Sequence, residues 1–248
     1  MSRIYKKPPL IEALCEFQFA EGDWDWTIPG LVYQQIEAQF PTKRQASTVE
    51  FEVQADPDQV SQRLRGGPGR MQFVRADETA LVQVGPHLLV INQLRSYPRW
   101  SEFKPLVLDT FEVYRKVAGP TGFRRIGIRY INHIQVPTSE VGLSTYFNFW
   151  PRLPAPIVSD PIRALLLRVD LAQESHLGHL VMTLATAPND GQGGSALILD
   201  LDFATTSTQE IALDAVGDWV EQAHDRIEIA FEACLTDRLR DLFEEIRS

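Results

Sequence analysis

The stretch Phe123 to Val136, FRRIGIRYINHIQV, alternates with period two along its length. Ile126, Ile128, Tyr130, Asn132, Ile134 and Val136 fall on one side, and Arg125, Gly127, Arg129, Ile131, His133 and Gln135 on the other. Successive side chains of a strand point to opposite faces. The pattern therefore predicts one long, half-buried strand over Arg124–Val136, with its isoleucine face on the core. Gly127 marks a candidate bend.

Other segments fit around that strand. Leu10 to Phe19 ends in the alternation Cys15, Phe17, Phe19, and Pro8-Pro9 bars an earlier helix start. Thr27 is a candidate helix cap with Pro29 in the first turn, and Pro41 ends that helix. Val49–Val53 reads as a short strand, and Asp56-Pro57 opens a short helix through Leu64. Three strands follow over Arg70–Arg75, Ala80–Val84 and His87–Leu94. The run Leu88–Ile91 in the third is apolar on both faces. Ser101 is a candidate cap for a helix to Val117, closed by Gly119-Pro120. Beyond the long strand, 137–160 is rich in Pro and aromatics and reads as a connecting segment on the surface. Strands follow near Ala164–Leu171, His179–Thr186 and Ala196–Phe203, the last two joined as a hairpin by PNDGQGG. A long helix runs from about Ile211 to Cys234, and Thr236 caps a final helix to Ile246. Meanders dominate over helical crossovers. The fold class is α+β: a largely antiparallel sheet, two or three packing helices and a C-terminal helix pair. The expected division is 1–137, a connecting segment 138–160, and 161–248, with one continuous domain as the alternative.

The 248 residues are 44% hydrophobic and 23% charged, usual values for globular domains. Such a chain needs no covalent staple. Cys15 and Cys234 both sit in apolar patterns and read as small buried hydrophobes. No apolar region follows the charged N-terminus, and no window reaches the ~20 apolar residues of a membrane helix. The expectation is a cytoplasmic protein with no membrane contact.

Net charge is −9, but it is unevenly spread. From Val60 to Tyr130 there are twelve Arg or Lys against five Asp or Glu; from Asp214 to Ser248, ten acids against four arginines. The two regions either meet each other or a symmetry mate, or the basic middle binds an anion or nucleic acid.

The candidate ligand residues follow from that polarity. Arg63, Arg65 and Arg70 flank a glycine-rich segment that lacks the Gly-Lys-Ser/Thr of a P-loop. Arg125 and Arg129 share a face with His133, the two arginines being ~13 Å apart. Gln83, Asn92, Tyr130 and Asn132, with Gln72, are polar groups on strands that read as buried. Such groups need partners, and they form either a cross-strand network or a pocket lining. His176 with His179, Asp200 with Asp202, and Glu221 with His224 have metal-like spacings, but no second Glu-x-x-His, HExxH or cysteine pair accompanies them. No metal, cofactor or catalytic residue is assigned, and no G-x-S-x-G elbow occurs.

PPLIEALCEFQF, RMQF, QVGPHLLVINQL with the YPRW turn, RRIGIRYINHI and the terminal HDRIEIAFEACLTDRLRDLF together cover nearly the whole chain. In that combination the sequence resembles an uncharacterised, sporadically distributed prokaryotic family of about this length. The resemblance implies no site residues. Its patchy distribution points to mobile or defence-related genes, such as toxin–antitoxin or anti-phage loci.

Two expectations stand. The first is a non-enzymatic protein-interaction or regulatory protein, binding a partner or itself through the acidic terminal helix and an exposed strand edge. The alternative is a nucleic-acid or nucleotide-binding module or enzyme that uses the basic middle.

Overall fold

A computed structural model describes residues 3–46, 49–56, 59–66, 69–95, 97, 99–137, 142–152, 154, 164–172, 178–188, 194–206 and 211–246; side chains of 49–66 and 143 lie outside the description. The fold is α+β, built on a nine-stranded antiparallel sheet. In chain order the strands are β1 (Leu10–Phe19), β2 (Thr42–Ala46), β3 (Val49–Asp56), β4 (Gln59–Gly66), β5 (Arg70–Val74), β6 (Ala80–Gly85), β7 (Leu88–Leu94), β8 (Phe123–Val136), β9 (Leu166–Ala172), β10 (His179–Ala187) and β11 (Ser195–Ala204). The helices are α1 (Ile28–Ile36), α2 (Trp100–Ala118), α3 (Val216–Cys234) and α4 (Asp237–Leu242). The sheet order is β2-β5-β6-β7-β1-β8-β11-β10-β9, and β3 with β4 forms a separate ribbon.

The period-two strand lies inside this sheet, next to its central strand β1. β8 pairs with β1 on one side and β11 on the other, so strands from both halves of the chain share one sheet. Ile126, Ile128, Ile134 and Val136 are fully buried beneath the helices. α2 lies across β7, α3 across β8 and β11, and α1 beside α2. Phe17 and Phe19 of β1 meet Phe111 and Tyr114 of α2 and Phe123 of β8, which fastens helix to sheet. β7 is buried on both faces from Leu88 to Gln93. Among the described residues no helix is long and apolar enough to cross a membrane.

Several local expectations give way to sheet pairing. The segment after Asp56 is strand β4, not a helix. It pairs with β3 from Val49 opposite Gly66 to Asp56 opposite Gln59, and that ladder satisfies every second backbone group at once. β2 carries no apolar alternation, and β5 alone recruits it. Ser101 lies inside α2, whose cap is Arg99; Gly119, at φ 55°, closes the helix by donating to Arg115 O. Thr27 caps α1 without a side-chain bond, whereas Thr236 does cap α4 by accepting from Leu239 N. α4 stops at Leu242, and Glu244, at φ 55°, turns the chain so that Glu245 bridges to Tyr5. In the 137–160 region Tyr146 and Phe147 are buried rather than on the surface, because Phe147 bridges to Leu235 at the end of α3. Of the PNDGQGG loop, 189–193 lies outside the described residues; Gly194 adopts φ 83°, where a Cβ would come 2.1 Å from Val136 O.

Candidate functional site

The helix-free face of the sheet collects most of the residues singled out by charge and polarity. Even-numbered residues of β1, β6's Gln83, β7's Asn92, odd-numbered residues of β8 and the acids of β11 all point there, because their neighbours on each strand are buried under the helices. Between them lies a cleft of about 310 Å³, lined by Leu14, Glu16, Arg70, Gln83, Val90, Asn92, Arg125, Gly127, Arg129 and Asp202.

An amide ladder forms one wall. Gln72 Nε2 donates to Gln83 Oε1 (3.2 Å), Gln83 Nε2 to Asn92 Oδ1 (2.9 Å), and Asn92 Nδ2 to Glu12 Oε1 (2.7 Å). Each amide thus satisfies the next across four adjacent strands, a cross-strand network that buried amides require.

The other wall is an ion-pair mesh. Arg125 donates to Glu16 Oε1 (2.7 Å) and forks onto Asp202 (2.9 and 3.1 Å). Arg129 grips Asp200 through two bonds of 2.6 and 2.8 Å. Gly127 makes the first arrangement feasible: a Cβ there would stand 2.5 Å from the Arg125 guanidinium, which lies along the strand across it. The glycine serves this close approach. Burial raises the Asp202 carboxyl above its usual range, and the Arg125 and Arg129 charges oppose that rise. The Arg129–Asp200 bonds hold the Arg129 guanidinium above its ordinary value.

The arginine row is therefore committed to acids on neighbouring strands, not to the acidic terminal helix. Arg70 enters the cleft with no acid paired to it among the described residues. His133 shares the face but sits opposite Ile198, outside the cleft. Arg63 and Arg65 stand opposite Glu52 and Glu50 in the backbone register, and their side chains lie outside the described residues. His176 also lies outside them.

Tyr130 and Asn132 belong to the opposite, helix-covered face. Asn132 Nδ2 donates to Leu199 O across β11 (3.1 Å). Tyr130 anchors a buried polar cluster with α2 and α3. Its hydroxyl is 2.8 Å from His224 Nδ1 and 3.2 Å from the Tyr97 hydroxyl. Trp100 stacks on the imidazole at 4.1 Å and 9° and donates Nε1–H to Glu221 (3.0 Å), which also accepts from Lys104 (2.6 Å). Glu221 and His224 thus turn to different partners on α2 and β8 rather than to one ion. The hydroxyl chain from Tyr97 through Tyr130 to His224 runs in either direction according to the imidazole tautomer. Burial pushes Tyr130 well above, and His224 below, their ordinary values. The Lys104 bond draws Glu221 down.

A pH dependence follows from His224. Its native value is depressed, so the unfolded chain binds this proton first as pH falls. Its contribution to stability is complete above the unfolded value of about 6.5 and is lost as pH drops through the lower native value. Lys104 opposes protonation, while Glu221, Asp225 and Glu228 favour it. Thermal unfolding of wild type and His224→Leu from pH 7.5 to 5 should show a falling wild-type midpoint and a flatter one for the variant. Parallel curves would remove His224 as the cause.

The third feature lies at the sheet margins. β2 is five residues long and carries Lys43 and Arg44; Lys43 sits over the Tyr33 ring and Arg44 pairs with Glu78. Charge and shortness blunt that edge. β9, at the other end, pairs only with β10 among the described residues; Leu167 and Val169 are half-buried and its other residues exposed, with Leu166 76% and Leu171 41% accessible. Strand periodicity alone does not show which strand lies at the sheet edge. The strand order puts β9 there.

No protein-family model matches the chain, and no curated protein matches it.

Proposed function

We propose that this is a non-enzymatic interaction protein of a regulatory kind, which takes up an extended protein segment on the free edge of its sheet at β9. The observation that carries the reading is that edge: backbone groups with no partner among the described residues, beside exposed Leu166 and Leu171, at the end of a nine-stranded sheet. Strand addition to such an edge supplies main-chain hydrogen bonds for affinity and alternate side chains for specificity. The patchy distribution implied by the resemblance fits a regulator in a mobile or defence-related system. The nucleic-acid reading has less to draw on, since Arg125 and Arg129 are neutralised by Glu16, Asp200 and Asp202.

Proline at position 168 offers the test. Thr186 N donates to Leu165 O at 3.0 Å, so odd-numbered residues of β9 face β10 and even-numbered ones present N–H and C=O outward. Arg168→Pro then removes an outward donor and leaves the β10 ladder whole. Tagged wild-type protein should retain a protein ligand, another copy of itself included, that the Arg168→Pro variant does not. Equal retention by both, or retention only of salt-sensitive nucleic acid, would overturn the reading.

A further inference from the structure

β9 reads Leu166-Leu167-Arg168-Val169-Asp170-Leu171-Ala172. About Val169 this segment is self-complementary when two copies run antiparallel. Arg168 of one copy then stands opposite Asp170 of the other, twice. Leu167 stands opposite Leu171, also twice, Val169 opposite Val169, and Leu166 opposite Ala172. The parity of the strand agrees with this register in its backbone and in its faces. The pairs opposed through Arg168, Asp170, Leu166 and Ala172 are the ones whose backbone groups point outward, as the Leu165–Thr186 bond requires. The faces also match: Leu167, Val169 and Leu171 lie on the helix side of both sheets, and the charged pairs on the open side.

Arg168 is opposite Thr183 and Asp170 opposite Val181 on β10, and among the described residues neither side chain is in an ion pair. Registers shifted by one residue about the axis fail for the same reason that this one succeeds. They set Arg168 against Arg168 or Asp170 against Asp170, and like charges directly opposite destabilise a strand pair. β2 offers no such complementarity: it carries Lys43 and Arg44 but no acid for a second copy to meet, and an axis at either residue sets like charges opposite each other.

We infer that a second copy of this chain occupies the β9 edge, the two strands pairing antiparallel about a two-fold axis beside Val169, so that two nine-stranded sheets become one. The inference rests on the edge-recognition reading above and names its partner. A two-fold interface is made by the same patch on both subunits. The Arg168–Asp170 opposition is such a patch.

The test is sedimentation equilibrium on wild type, Arg168→Asp, Asp170→Arg, the double reversal and Arg168→Pro, each first shown to be folded by circular dichroism. All the altered side chains are exposed. Wild type should dimerise. Each single reversal puts like charges opposite each other twice and should weaken dimerisation by roughly tenfold. The double reversal restores both oppositions and should recover the wild-type constant, while Arg168→Pro should leave monomer. Three results would each overturn the inference: a wild-type monomer at the highest soluble concentration, a dimer indifferent to the single reversals, or single losses that the double reversal does not repair. A wild-type monomer that still captures another protein in an Arg168→Pro-sensitive way would sink self-pairing alone and leave the edge reading standing. Absence of both would end the two together.

Discussion

Phe17→Ala should lower the unfolding free energy by about 3–5 kcal/mol, the usual cost of emptying a fully buried aromatic site. Phe17 is fully buried, and its ring lies 4.9 Å from Phe111 of α2 and 6.0 Å from Phe123 of β8. The side chain thus joins the sheet centre to the long helix α2 above it. Its neighbours are held by that helix and by β8, so the hole has little freedom to close. Phe17→Leu retains most of the volume and should cost well under half as much. Urea unfolding of the three proteins measures this. Similar midpoints for Phe17→Ala and wild type would mean that this cluster does not fasten α2 to the sheet.

Arg125→Met should cost about 2–4 kcal/mol at neutral pH. Breaking one side of a buried ion pair leaves its partners charged and desolvated. The figure is reduced because the Arg125, Glu16 and Asp202 side chains are 27%, 20% and 26% accessible. The loss has a signature in pH. Burial already raises Asp202, and Arg125 opposes that rise. Without Arg125 the native carboxyl rises further above its unfolded value. The native state then holds a proton that the unfolded chain releases, so stability is kept at low pH and lost as pH increases through the native value. The gap between variant and wild type should therefore widen from pH 4 to pH 7. Adding Glu16→Gln and Asp202→Asn to the variant removes the stranded charges and should recover at least half of the loss. A pH-independent gap, or no recovery, would assign the cost to lost packing over Gly127.

Both expectations rest on partners that are distant along the chain. Glu16 and Asp202 are 109 and 77 residues from Arg125. Sequence spacing put Asp200 and Asp202 on one strand face and Arg125 and Arg129 on another. Only the order β1-β8-β11 lays those faces side by side. The same order divides the four polar pocket candidates, sending Gln83 and Asn92 to the cleft and Tyr130 and Asn132 beneath the helices. The parity of β8 already separated Tyr130 from Arg129. It was the parity of β7 relative to β8 that no single-strand pattern contained.

What the sequence determined by itself is local and periodic. The alternation of β8, the doubly buried run of β7, the α2 and α3 stripes and the Thr236 cap are legible because each depends on residues within a few positions of one another. The tertiary structure alone decided pairing. It drew the polar segment Thr42–Ala46 into the sheet, turned 59–66 from a candidate helix into a strand, tied the arginines to acids, and left β9 at the edge. Pairing is non-local. A strand's register and its free side depend on a neighbour many residues away, and the near-mirror Leu167-Arg-Val-Asp-Leu171 acquires meaning only once β10 is its one neighbour among the described residues.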